Sequence, residues 1–202
     1  MKKIGIFGGT FDPVHVGHLI LAERCREDAG LDEVRFVPSA RPPHKDSRAI
    51  TPFERRCEML RLAVAGHPAF VVDELEDERE GPSYTADTLE QLRRSEPDAE
   101  LFLIVGGDCL PDLPGWHEPM RIIDAASLLA VARPGAMIWE PSRLADSLGC
   151  NVGRVRIERA DSPLIDVSST EVRRLVGEGR GIRYLVPRAV EEYIRDKELY
   201  RG

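Results

Sequence analysis

Two histidines three residues apart, His15 and His18, stand where a glycine-rich turn runs into an amphipathic segment. The stretch Gly8-Gly9-Thr10-Phe11-Asp12-Pro13-Val14-His15-Val16-Gly17-His18 follows a short apolar run, Ile4 to Phe7, and precedes Leu19 to Arg26. This order reads as strand, turn and helix. Residues three apart on a helix share a face, so the two imidazoles point the same way. A helix N-terminus offers free backbone N–H groups and the positive end of a dipole, both of which favour an anion. Glycines let the backbone approach a ligand without a Cβ in the way. The expected product is a phosphate cradle with two imidazoles aimed into it. The same histidine pair could bind zinc, but no third ligand stands at a recognisable metal spacing. Helix capping accounts for Thr10 or Asp12 and leaves both histidines unexplained. Neither the dinucleotide-binding glycine spacing nor a Walker A ending is present.

A second candidate anion site lies far along the chain, at Ser168-Ser169-Thr170-Glu171-Val172-Arg173. Hydroxyls at a helix start can donate to phosphate oxygens, and Arg173 follows a turn later with a planar fork for the same anion. Simple capping by Ser168 in an S-x-x-E box is the competing reading.

The elements that must position these residues follow from the apolar pattern. Strands are expected at Lys3–Phe7, Glu33–Pro38, Phe70–Asp73, Leu101–Val105 and Ser127–Ala132, with helices at Gly17–Glu27, Pro52–Val64, Ala86–Ser95 and Pro119–Asp124. Alternation of near-continuous apolar strands with helices implies an α/β fold, a doubly wound and mostly parallel sheet covered on both faces. Ligands in such sheets bind beyond the carboxyl ends of the strands. Gly8-Gly9 and Gly106-Gly107 each directly follow a strand candidate, which places both at that edge. Thr51-Pro52-Phe53-Glu54 reads as a capping box with proline at the first helical position, and Pro187 to Asp196 as a closing helix. One domain over residues 1–202 is expected, with 139–202 as a helical C-terminal portion.

Composition narrows the partners. The net charge is −7, which argues against bulk nucleic acid and leaves a small anionic substrate open, provided the positive field is local. The run Asp73-Glu74-Leu75-Glu76-Asp77-Glu78 is expected to be a solvated loop away from the nucleotide. No run is long and apolar enough to span a membrane, and a strand is expected to start at once, which would leave no room for a signal peptide. The four cysteines, Cys25, Cys57, Cys109 and Cys150, form no C-x-x-C pair and read as thiols of a cytoplasmic protein.

Four pieces of the middle of the chain carry candidate acceptor contacts. Pro42-Pro43-His44-Lys45 is a stiff turn ending in a cation that could meet a phosphate. Ser83-Tyr84-Thr85-Ala86-Asp87-Thr88-Leu89 opens a helix, and Gly106-Gly107-Asp108 puts a carboxylate at the ligand edge, where it can accept from ribose hydroxyls. Trp116 follows Leu113-Pro114-Gly115, in a turn where an indole can stack on a flat heterocycle. A surface lysine, an ordinary N-cap and a core tryptophan are the plain alternatives.

The first motif resembles the Gly-Thr-Phe-Asp-Pro-x-His-x-Gly-His signature of the HxGH nucleotidyltransferases, and the second resembles their Ser-Ser-Thr-x-x-Arg motif. With the Pro-Pro-His-Lys, Ser-Tyr-Thr-x-Asp-Thr-Leu, Gly-x-Asp and tryptophan segments, the likeness runs from residue 4 to Leu199-Tyr200 and points to the nicotinate-mononucleotide adenylyltransferases. The resemblance implies a Rossmann-like nucleotidyltransferase fold and transfer of the adenylyl group of ATP to nicotinate mononucleotide, giving deamido-NAD and pyrophosphate. His15, His18 and Arg173 would be catalytic. Gly8, Gly9, Thr10, Phe11, Gly106, Asp108, Ser168, Ser169 and Thr170 would bind ATP. Lys45, Thr85, Trp116 and Arg133 would bind the mononucleotide, Arg133 by its place in Ala132-Arg133-Pro134-Gly135. One departure is His117, where some relatives carry another aromatic residue; it bears on the choice between acid and amide. Mg²⁺ is expected to travel with ATP, held mainly by phosphate oxygens and water. A homo-oligomer is compatible with the sequence. Rival readings are another adenylyltransferase, such as phosphopantetheine adenylyltransferase, a non-catalytic nucleotide sensor on the same fold, and a zinc hydrolase.

Overall fold

The structure, a computed structural model, describes residues 1–43, 50–132, 139–163 and 165–201. Its centre is a parallel sheet of six strands in the order β3-β2-β1-β4-β5-β6. The strands are β1 Lys3–Gly9, β2 Glu33–Pro38, β3 Phe70–Val72, β4 Glu100–Gly106, β5 Ser127–Ala132 and β6 Ile157–Asp161. The chain order reverses between β1 and β4, so a crevice opens beyond their carboxyl ends.

Strand β4 shows why the sheet is covered twice. Leu101, Leu103 and Val105 face one side and Phe102 and Ile104 the other, and all five are buried. Each such side chain contributes about 1.5–3 kcal/mol of burial free energy. On the Phe102 side lie α1 (Val16–Ala29), α2 (Phe53–Val64), α6 (Ser169–Gly177) and α7 (Arg188–Asp196), through residues such as Cys25, Leu60, Val172 and Ile194. On the Leu103 side lie α3 (Thr85–Ser95), α4 (Pro119–Ala125) and α5 (Pro141–Leu148), through Leu89, Ile122 and Leu144.

Three local expectations change. Residues 139–202 are not helical alone, because β6 joins β5 in parallel from Leu128↔Ile157 to Ala132↔Asp161. This strand sits at the sheet edge and buries only Ala160 fully, so its residues lack the apolar run that marks an interior strand. Gly8 and Gly9 are the last residues of β1, paired with Val37 and Pro38, rather than a turn after it. Thr51 does not cap α2: Pro52 is the N-cap and no side chain bonds the helix start. The Thr51 hydroxyl turns instead to Tyr200.

Candidate active site

Helix α1 begins in an unusual way. His15 is its N-cap, in extended backbone conformation, and His18 is the third helical residue. The His15 backbone N–H donates to His18 Nδ1 at 3.2 Å, so His18 occupies the place a glutamate holds in most capping boxes. The two rings stack with centroids 3.7 Å apart and 25° between planes. Gly17 leaves room for this packing, because a Cβ there would lie 3.0 Å from His15 Nδ1 and press on the ring. Phe11 braces the other side of His18, edge-on with centroids 5.0 Å apart.

Burial sets the charge of the pair. Desolvation lowers the His15 pKa to about 4. Desolvation, joined by the neighbouring His15, lowers that of His18 to about 3. Both rings are therefore neutral at pH 7. A neutral imidazole that accepts at Nδ1 carries its proton at Nε2. The helix start thus fixes His18 as an Nε2–H donor.

The distant Arg173 reaches this loop. Its Nη1 donates to the Asp12 carbonyl at 2.6 Å and its Nη2 to Thr170 Oγ1 at 3.3 Å. Ser169 Oγ donates to the Pro13 carbonyl at 2.9 Å. Ser168 caps α6 by accepting the Glu171 N–H at 3.1 Å. Glu171 does not complete the box; it binds Arg174, which also holds Glu178. The α6 N-terminus is thus docked on the Asp12-Pro13 segment, whose peptide bond is cis, and Arg173 rather than Arg174 faces the histidine loop.

A cavity of about 290 Å³ opens at the carboxyl edge of β1 and β4, lined by Gly8, Gly9, Thr10, Thr85, Gly106 and Trp116. Thr85 is the first residue of α3, where free N–H groups collect. Trp116 is half-buried, with one part packed on the core and another on the cavity. Asp108 follows β4 in a short 3-10 turn, Gly107–Cys109. A Cβ on Gly106 would lie 2.3 Å from Asp108 Oδ1, so a side chain there would displace the Asp108 carboxylate.

Phe11 departs from its expected place. It is 2% exposed and belongs to the core, so it supports His18 and does not line the cavity. Lys45 and Arg133 lie outside the described residues. The acidic run is a larger correction. Glu76 is buried and lines the cavity. Its carboxylate accepts from Thr88 Oγ1 at 2.6 Å and from the Ala40 N–H at 3.4 Å. These partners neutralise the cost of burial that the flanking acids suggested would keep it in solvent.

Two further residues carry no catalytic pattern and were not anticipated, Arg56 and Tyr200. Arg56 is 1% exposed and donates to three main-chain carbonyls, Thr51, Thr10 and Ser39, at 2.9, 2.8 and 2.8 Å. Tyr200 donates to Asp12 Oδ1 at 2.7 Å. A signal for Arg56 exists: it sits on the apolar stripe of α2 with Met59, Leu60 and Val64, where a solvated arginine would be out of place.

Among the described residues no group of three or more His, Cys, Asp or Glu could hold a metal ion, and no helix is long and apolar enough to cross a membrane. None of the four cysteines forms a disulfide, and Cys25 and Cys57 are buried. Burial pushes both of those thiols up to about 12.

The chain matches known proteins along nearly its whole length. The cytidylyltransferase-like family model matches residues 6–175. The probable nicotinate-nucleotide adenylyltransferase of Thermomicrobium roseum is 47% identical over 201 residues, covering 100% of this chain and 92% of the relative. That of Thermus thermophilus is 47% identical over 199 residues, covering 98% and 100%. Among solved structures, Plasmodium falciparum nicotinic acid mononucleotide adenylyltransferase complexed with NaAD superposes with a TM-score of 0.79 over 99% of this chain and 98% of that one, at 18% identity. The same enzyme complexed with APC gives 0.77 over the same shares, at 17% identity. At these identities the structural likeness carries the fold, and the sequence relatives carry the family. The chain belongs to the cytidylyltransferase-like family, among its nicotinate-nucleotide adenylyltransferases.

Proposed function

We propose that the protein transfers the adenylyl group of ATP to nicotinate mononucleotide in NAD biosynthesis, forming nicotinic acid adenine dinucleotide and pyrophosphate. The observation that carries the mechanism is the docking of Arg173 on the Asp12 carbonyl, which brings the second anion motif onto the histidine loop. The names of the sequence relatives support the acceptor. The family match over residues 6–175 and the place of β6 in the sheet support one nucleotidyltransferase domain across 1–202.

A phosphate oxygen of the mononucleotide attacks the α-phosphorus of ATP. A new P–O bond forms, the bond from that phosphorus to the bridging oxygen breaks, and pyrophosphate leaves with the electron pair. A phosphate monoester is mostly dianionic at neutral pH, with its second pKa near about 6. No general base is therefore required. The work left to the protein is to align two anions and to stabilise charge on the leaving group. His18 donates through Nε2–H to a phosphate oxygen, with His15 stacked beside it. Arg173, Ser168, Ser169, Thr170 and the α6 N-terminus receive the polyphosphate. Gly8, Gly9 and Thr10 let it approach the backbone, and Asp108 accepts from a ribose hydroxyl. Mg²⁺ bound to the triphosphate would neutralise its oxygens, and phosphate and water oxygens would suit its hard coordination, since among the described residues no group of three or more His, Cys, Asp or Glu could hold it.

Trp116 and Thr85 hold the pyridine ring and its carboxylate at the cavity. Lys45 and Arg133 are assigned to the mononucleotide by resemblance. The small-molecule substrates and the absence of a membrane-crossing helix among the described residues fit a cytoplasmic enzyme. Pyrophosphate release tests the reading, with ATP and either nicotinate mononucleotide, its amide analogue or phosphopantetheine as acceptor. Fastest release with the acid supports it. Release with phosphopantetheine alone, or with no acceptor, rejects it.

A further inference from the structure

The nucleotide loop is held from below by a buried polar assembly that the reaction as described does not use. Asp12 is 4% exposed and Arg56 1% exposed. Arg56 ties together three separate segments through the carbonyls of Thr10, Ser39 and Thr51. Thr10 and Ser39 both line the cavity, one on the nucleotide side and one at the end of β2. The Asp12 carboxylate accepts from the Thr51 N–H at 3.2 Å and from the Tyr200 hydroxyl at 2.7 Å. The main-chain oxygen of the same Asp12 accepts from Arg173. One residue therefore receives the C-terminal tyrosine, the segment before α2 and the arginine of the second anion motif.

Each part of this assembly is costly unless it is completed. A buried guanidinium needs acceptors and a countercharge, and a buried carboxylate needs donors. Three carbonyls satisfy Arg56, and Asp12 acts on it electrostatically. A loop fixed at this many points has little freedom to shift, and small displacements of reacting groups cost large factors in rate.

We propose that Arg56 and Tyr200 are positioning residues that act through Asp12 and Thr10, setting where the histidine loop and Arg173 stand relative to the acceptor side of the cavity. This rests on the adenylyl-transfer reading for its kinetic consequences. Neither residue is assigned a substrate contact of its own, so the larger loss is expected in turnover and the smaller in binding.

Two variants of the full chain test it. Tyr200→Phe deletes one hydroxyl and is expected to lower kcat about tenfold, with KM for ATP and for the mononucleotide each changed by less than about threefold. Arg56→Lys can reach one carbonyl in place of three and is expected to lower kcat about a hundredfold. In both, the ¹⁵N resonances of the His18 ring should shift in the free protein, because the His15 N–H that holds Nδ1 moves with the loop. Combined with Arg173→Lys, Tyr200→Phe should cost less than the product of the two single losses, since both act at Asp12. An unchanged kcat with unmoved ring resonances overturns the proposal. So does a lowered rate that tracks a lower titrated fraction of active sites, which is the mark of a fold-stabilising role alone. If Arg56→Lys fails to fold, Tyr200→Phe decides. Wild-type protein that uses a different acceptor would overturn the functional reading, while the ring resonances would still report on this one.

Discussion

The two sides of the cavity are built by different means. On the phosphate side, one buried and three half-buried polar groups are tied to main chain: Arg56 to three carbonyls, Arg173 to Asp12, Ser169 to Pro13, and His18 to the His15 N–H. On the pyridine side, the neighbours of Trp116 are side chains held by one another at the surface. Tyr84 stacks on His117 with centroids 4.0 Å apart, His117 Nε2 lies 3.2 Å from Glu118, and Arg121 joins Glu118, Asp87 and Glu90. Backbone anchoring fixes a loop whatever the ligand. Surface stacks and ion pairs are each worth about 1 kcal/mol or less and yield to substitution. Under the proposed function, the chemistry common to nucleotidyl transfer falls on the stiff side, and recognition of one acceptor on the side that tolerates change.

The sharpest way to break this contrast is at His18. His18→Ala removes an aligned Nε2–H donor to charge that develops in the transition state, and kcat should fall about 10²–10³-fold. The dissociation constant for ATP, measured by calorimetry, should change much less. A loss confined to ATP affinity would make His18 a binding group and leave the stiff side without its catalytic purpose.

The stiff side should also answer to pH. Unfolded, both histidines take protons near pH 6.5; folded, they stay neutral down to about 4 and about 3. Between these values the unfolded chain binds more protons, so stability falls as pH drops below about 6.5, by up to about 1.4 kcal/mol per unit for each histidine. The slope is lost only when the folded rings protonate in turn. Urea denaturation between pH 6.5 and 5 measures it, and His18→Asn should remove close to half. A flat profile would mean the stack is not desolvated in solution.

These regions were not equally legible in the sequence. The β1 strand, the histidine loop and the Ser168–Arg173 helix start announce themselves because their chemistry requires particular residues at fixed local spacing. Arg56 and Tyr200 do not, because their roles depend on carbonyls and a carboxylate brought together across gaps such as Tyr200 to Asp12. Only the apolar stripe of α2 hinted at Arg56. Glu76 was hidden by its acidic neighbours: composition predicts a solvated run, and burial of one member depends on the Thr88 hydroxyl, twelve residues on. Strand β6 was missed for a related reason. With one fully buried residue and charged Glu158 and Arg159 exposed, it has no period for a pattern to detect, and its pairing with β5 supplies the order.

On the soft side, Trp116→Ala removes one stacking face. The KM for the mononucleotide should rise about tenfold, in keeping with about 1–3 kcal/mol for a stacked ring. KM for ATP should hold, since the proposed role of Trp116 is confined to the mononucleotide. Equal losses for both substrates would show that the core-packed part of Trp116 matters more than its cavity-facing part.

The smallest effect expected is at His117, and it bears on acid-versus-amide choice. Its ring is stacked on Tyr84 and its Nε2 is next to Glu118, so it has little left to offer a ligand carboxylate. The start of α3, where Thr85 meets the cavity, offers the backbone N–H groups of a first helical turn and a positive dipole end instead. If these recognise the carboxylate, His117→Ala loses only an exposed ring contact. The mononucleotide KM should change less than about threefold, and the ratio of kcat/KM for acid over amide should hold within the same factor. The measurement is that ratio, taken with both acceptors on one preparation. A collapse of the ratio would assign the carboxylate to a side chain that also binds its neighbours, and recognition on this side would then depend on the surface network around Arg121.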